Sequence, residues 1–146
     1  MSLERQEVLQ KACDFLANRE HSRKELTYKL ARSCEDESLL EELLDKLSEE
    51  GLQSDARFTE SFVHHRIKKG QGPKKIEQEL RQRGIQQELI MDYLYAEAHD
   101  WLNMAEVIRC KKFGEEVPRD YQKKAKQSRF LYSRGFDSEV IGQLLK

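Results

Sequence analysis

A doubled apolar pair recurs three times along this chain: Leu39-Leu40 with Leu43-Leu44, Leu89-Ile90 with Tyr93-Leu94, and Val140-Ile141 with Leu144-Leu145. Two pairs four residues apart lie on one face of a helix. The steps between recurrences are 50 and 51 residues. Other positions keep the register: Leu26 and Leu30 map onto Ile76 and Leu80, and Gly84-Ile85 maps onto Gly135-Phe136. A fixed period of this length marks a repeat architecture, and each period has room for three helices. The expected fold is all-α, with three tandem three-helix repeats forming an elongated, curved array. Their limits are placed at 1–53, 54–98 and 99–146. Each unit is too small to be very stable alone and leans on its neighbour.

The middle unit is the most legible. Gly51 and Gly84 follow helical patterns and close them, and Gly72-Pro73 opens a helix between them, because proline at the first helical position sacrifices no useful donor. Phe58, Phe62, Val63 and Ile67 form the inner stripe of one helix, with Arg57, Ser61, His64 and Lys68 opposite; Ile76 and Leu80 form that of the next. Upstream, Val8, Ala12, Phe15 and Leu16 give an amphipathic helix, Ser22 and Glu25 a capping box, and Leu39 to Leu47 the stripe of an acidic helix. A sixth helix is read over 86–98. Downstream, Trp101, Ala105 and Ile108 mark a seventh, and Tyr121, Ala125, Phe130 and Leu131 an eighth.

The chain carries 26 basic and 27 acidic side chains, a near-balance that hides a gradient. Residues 1–53 hold 8 bases and 13 acids, residues 54–98 hold 8 and 7, and residues 99–146 hold 10 and 7. Any polyanion should therefore prefer the later two-thirds. Cys13, Cys34 and Cys110 are scattered with no C-x-x-C pair, which argues against a zinc site or a disulfide framework and for reduced, mostly buried thiols. MSLERQEVLQ has charges where a secretory leader needs an apolar core, and no apolar run reaches membrane-spanning length. A cytoplasmic monomer that engages no membrane is expected.

Motifs for chemistry are missing. His64 and His65 are adjacent and point apart, and no H-E-x-x-H, phosphate loop or activated nucleophile appears. No catalytic residue, cofactor or metal is expected. What remains is a basic cluster. Between residues 64 and 84 seven bases stand against Glu77 and Glu79, and Lys68, Lys69, Lys74 and Lys75 surround one helix-to-helix loop beside what reads as a free helix N-terminus, suited to an anion. Lys111, Lys112, Lys123, Lys124, Lys126 and Arg129 could repeat the arrangement in the third unit. With Arg57, Arg66 and Arg81 these are the candidate contacts to DNA or to a partner. Aromatic residues read as mostly internal, so phosphate or an acidic protein surface fits better than base stacking.

Four stretches, REHSRKELTYKL (19–30), GLQSDARFTESFV (51–63), GQGPKKIEQELRQRGI (70–85) and FLYSRGF (130–136), resemble the RecX family, bacterial regulators of the recombinase RecA. The resemblance covers nearly the whole chain. It implies tandem three-helix repeats and a function without catalysis: binding in the groove of the RecA filament on single-stranded DNA, suppression of ATPase and strand exchange, and modulation of recombination, repair and the SOS response. On the family's pattern Asp55, Phe58, Gly72 and Pro73 take structural roles and Arg57, Lys74 and Arg81 face a partner, while Ser54 and His64 depart from the commoner acid and base. A direct binder of single- or double-stranded DNA and a general helical adaptor are the alternatives.

Overall fold

The computed structural model describes residues 3–146. Helices α1 (Leu3–Asn18), α2 (Arg23–Leu30) and α3 (Glu37–Glu49) form the first unit; α4 (Asp55–Lys68), α5 (Pro73–Gln82) and α6 (Gln87–Met91) the second; and α7 (Trp101–Phe113), α8 (Tyr121–Ser133) and α9 (Ser138–Leu144) the third. No strand is present among the described residues. Short polar side chains start most of these helices by accepting otherwise unpaired N–H groups. Ser22 and Glu25 close the capping box that opens α2, at 3.1 and 3.0 Å. Ser54 caps α4, so the commoner acid is not needed there, and Asp36, Asp100, Asp120 and Asp137 cap α3, α7, α8 and α9.

Each unit buries its own apolar cluster. Val8, Ala12, Leu26, Leu30, Leu43 and Leu47 lie in the first, Phe58, Val63, Ile76, Leu80, Ile90 and Leu94 in the second, and Ala105, Leu131, Phe136 and Ile141 in the third. Trp101 packs against both the second and the third. The chain exposes 9466 Å², whereas a compact protein of its mass exposes about 7,800 Å². Three small cores in a row leave that extra surface.

The units are joined end to end through their second helices. At the N-terminus of α5 the Gly72 N–H donates to the Arg134 carbonyl at 2.6 Å and the Lys74 N–H to the Gly135 carbonyl at 2.9 Å. These are the carbonyls just beyond α8, so the partially negative end of one helix meets the partially positive end of the next. The sequence reading of a free anion-binding N-terminus is overturned: a neighbouring unit occupies it. Backbone contact this close requires glycine on both sides. A Cβ on Gly72 would lie 2.6 Å from the Gly135 carbonyl oxygen, and Gly135 itself adopts φ +99°, a left-handed conformation.

The first joint follows the same plan with other chemistry. A Cβ on Gly84, just past α5, would lie 2.8 Å from the Cβ of Lys24 in α2. Asp55, the first residue of α4, accepts from the Arg23 N–H at 2.8 Å and from Gln53 Nε2 at 2.9 Å, capping the helix of the preceding unit rather than its own. Ion pairs Arg57–Glu20 (2.9 Å) and Arg83–Glu25 (3.7 Å) cross the same seam.

The structure departs from the sequence reading at four further points. The sixth helix is α-helical only to Met91, and Asp92–Ala96 form a π-helical turn, with the Glu97 N–H reaching back five residues to Asp92. Tyr95 on that turn donates to Glu77 of α5 at 2.6 Å, and burial together with that carboxylate raises the phenol pKa above its ordinary value. Tyr121 is 83% exposed and belongs to no apolar stripe. Only one of the three thiols, Cys34, is buried; Cys13 is exposed and Cys110 half-buried. Finally, Arg109 is fully buried, at a position where the stripe of α7 calls for an apolar residue.

Arg109 organises the 114–120 loop. Its guanidinium donates to Glu106 at 2.8 and 3.3 Å, to the carbonyls of Glu115 and Glu116 at 3.1 and 3.4 Å, and to Gln127 of α8 at 3.2 Å. Its planar fork of five donors can serve that many acceptors at once. The hydrogen bond to Arg109 holds the Glu106 carboxyl below the usual range, with the Cys110 thiol adding to it; Glu106 in turn raises the Cys110 pKa.

Candidate functional site

The cations that appeared as one cluster in the sequence divide into two groups. Lys68 and Lys69, at the end of α4, meet Lys111 and Lys112 of α7 across an open groove of about 550 Å³ at the second joint. Ile67, Met104, Val107, Ile108 and Phe130 form its apolar floor, and Val107 is 57% exposed. Arg134 completes the rim, and its guanidinium lies 5.0 Å above the Phe130 ring while Lys112 Nζ lies 4.8 Å from it. Two cations placed against one aromatic ring are held in position while their charged ends stay wet.

Lys74 and Lys75 belong elsewhere. They line a second opening, of about 500 Å³, with Gln78, Tyr132, Ser133 and Asp137. Phe130 and Tyr132 are two residues apart on α8 and hence about 200° apart around its axis, so the two groups sit on different sides of the joint. Arg129 lies beside Tyr132 in a third opening, with Ser128, Ile141 and Gly142. Tyr132 is 72% exposed, an exception among aromatic residues that are mostly internal, Phe58, Phe62, Phe113 and Phe130 included: a bare ring stands next to lysines. Lys123, Lys124 and Lys126 are on the first turns of α8, Lys124 half-buried and the other two exposed. None of the three lines either basic opening.

Three candidate arginines are engaged within the fold. Arg57 bridges to Glu20, as above. Arg66 pairs with Glu79 of α5 at 3.2 Å and stacks at 4.6 Å on Phe62. Arg81 pairs with Glu77 one turn earlier and donates to Gln87 at 3.0 and 3.1 Å. By contrast, among the described residues none of Lys68, Lys69, Lys111, Lys112 and Arg134 is in an ion pair. A surface cation without a partner retains its full charge for a ligand. Arg134 was not among the sequence candidates, although it stands 51 residues after Arg83 and the repeat period already pointed to it.

Beyond this groove, on the same side of α4, lies an opening of about 750 Å³ that shares Ile67 with it. Its charged lining is mainly acidic: Glu20, Glu60 and Glu97, with Arg57, His64 and His99. The sequence offered no signal for it, because Glu20, Glu60 and Glu97 belong to three separate segments.

Comparison with known proteins places this architecture. Residues 54–94 match the model of the RecX second three-helix domain and residues 100–145 that of its third. The regulatory protein RecX of Pseudomonas entomophila (strain L48) is 44% identical over 138 residues, covering 94% of this chain and 89% of that protein. That of Halorhodospira halophila (strain DSM 244 / SL1) is 43% identical over 130 residues, 89% of this chain and 81% of the relative. The crystal structure of RecX from Lactobacillus salivarius superposes with a TM-score of 0.82 at 22% identity, covering 97% of this chain and 94% of that one, a likeness of fold. Identity above two-fifths over nearly the whole length, in an all-helical fold of tandem three-helix units, means that the chain belongs to the RecX family of regulatory proteins.

Proposed function

We propose that this chain binds the RecA recombinase and its filament on single-stranded DNA, lowering ATP hydrolysis and strand exchange and so restraining recombination, repair and the SOS response. The observation that carries the reading is the groove at the second joint, where five unpaired cations from two units surround an apolar floor on an extended molecule. Such a surface grips rather than transforms: it has charge, apolar area and length, and no nucleophile poised beside a base. Several separated contacts on one stiff array can engage successive protomers of a polymer, and their combination is far stronger than any one. A clamp changes activity only if it prefers one filament state over another. The test is DNA-dependent ATP hydrolysis by RecA, with inhibition expected at less than one copy of this protein per protomer. Undiminished hydrolysis at equimolar ratio would refute the proposal.

A second reading, direct contact with DNA, is favoured by Tyr132, exposed beside Lys74 and Lys75. A bare aromatic ring among lysines is suited to stacking a base while the cations hold phosphates. Affinity for a single-stranded oligonucleotide should then fall steeply with salt and fall further on Tyr132→Ala. Salt-independent binding would exclude it.

A further inference from the structure

The acidic and basic openings lie end to end. Arg57, Glu60, Ser61, His64, Ile67 and Lys68 share one face of α4 and line one opening or both. From Arg57 to Lys68 the helix rises about 17 Å, so the openings form a single trough at least that long. Its charge is segregated. Glu60 and Glu97 stand at one end, where Glu20 is already paired with Arg57, and Lys68, Lys69, Lys111, Lys112 and Arg134 stand at the other; Val63, Ile67, Tyr93 and Ile108 supply apolar lining, and the two openings meet at Ile67.

We infer that this trough seats a helix of a partner protein, three to four turns long, acidic at one end, basic at the other and apolar along the face turned inward. The order of the lining selects this occupant. A nucleic-acid strand is uniformly negative; it would be drawn to the lysine end and repelled by Glu60 and Glu97. A uniformly acidic protein segment meets the same conflict. A helix with segregated charge satisfies both ends, and its apolar stripe covers the exposed floor, as in other helix-in-groove complexes. The ends are separated by more than the screening length of about 8 Å at physiological salt, so they act independently and their effects on affinity multiply. The inference deepens the regulatory reading and rests on it only for the partner's identity.

The test uses the full chain and three labelled amphipathic peptides of about 14 residues, four helical turns. One carries glutamates in one half and lysines in the other, one has the same composition with the charges interleaved, and one is glutamate throughout its polar face. The segregated peptide should bind about tenfold more tightly than either of the others. In a Glu60→Lys/Glu97→Lys variant, whose helicity is checked by circular dichroism, its affinity should fall about tenfold while that of the all-glutamate peptide rises. Lys111→Glu/Lys112→Glu should weaken it by a similar factor. Equal binding of the three peptides would overturn the inference. So would binding of the all-glutamate peptide or a single-stranded oligonucleotide as tightly as the segregated one. If the chain inhibits RecA, the Glu60→Lys/Glu97→Lys variant should need about tenfold more protein for the same inhibition, and unchanged inhibition would also overturn it. A chain that leaves RecA untouched yet discriminates among the peptides would refute the partner's identity and support the trough.

Discussion

Arg109 and His21 show how single buried polar residues position whole segments. Arg109 supplies donors to three acceptors around the 114–120 loop in addition to Glu106, so replacing it with methionine leaves those carbonyls and Gln127 without partners. Glu106 keeps access to water, so the cost is that of the buried acceptors left unpaired, about 1–3 kcal/mol, and urea unfolding of Arg109→Met should show a loss of that order. A loss well under 1 kcal/mol would mean that the loop is held some other way. His21 is buried, with Nδ1 3.0 Å from the Arg19 carbonyl and Nε2 2.8 Å from Lys29 Nζ. The lysine can only donate, so the ring is neutral, with Nδ1 protonated. Burial, helped by the charges of Arg19 and Lys29, lowers its pKa from the ordinary 6.5. A base whose folded pKa is lowered binds its proton more readily when unfolded. Its stabilising contribution is therefore complete above about pH 6.5 and is lost as pH falls through that value toward the folded one. Melting temperature should drop between about pH 7.5 and 5.5, and the drop should be smaller in His21→Gln. Equal drops in the two proteins would reject the assignment.

Among elements, the end-to-end contact of α5 with α8 decides how the second and third units are set. Gly72→Ala drives a methyl group into the Gly135 carbonyl at 2.6 Å. That carbonyl is backbone and cannot rotate away, so the joint must open. Overpacking of this kind costs about 1–3 kcal/mol. Trp101, the sole tryptophan, packs on both adjoining cores, and its fluorescence should report the opening as a red shift without loss of helicity. Gly142→Ala is the control: that glycine is inside α9 with nothing within 4 Å, and the change should stabilise by up to about 1 kcal/mol. If both substitutions behaved alike, the joint would not be the constraint described. The helices themselves were largely legible in the sequence, since a capping box such as Ser22 with Glu25 and breaks such as Pro73 act within a few residues, whereas the cap of α4 falls to Ser54 and not to Asp55, which reaches across to α2. The end of α6 was not, because its π-helical turn comes with a contact to α5, and local pattern carries no record of that.

For the whole molecule, three cores in a row predict an extended shape. A compact chain of this length has a radius of gyration of about 15 Å; small-angle scattering should give a clearly larger value, and a result at the compact figure would rule out the array. The extended form also explains why the acidic first unit and the basic later ones coexist in a chain of net charge −1: the charges are spread over a length well beyond the screening distance, so a partner meets local potential rather than the average.

The amino-acid sequence by itself determined the all-helical class, the 50-residue period, most helix starts and the apolar stripes. Each depends on spacing within one segment, which a linear chain displays directly. Only the tertiary structure decided which cations are free. Arg57 and Arg66 carry no mark in the sequence that separates them from Lys68 and Lys111, and they differ because glutamates from other segments, Glu20 and Glu79, come to lie beside them. The occupied N-terminus of α5, the burial of Arg109 and the trough with opposite charges at its ends have the same origin. Each is a relation between residues on different elements: the helix junction and the trough arise where separate units pack end to end, and the burial of Arg109 where α7, α8 and the loop between them close on one another.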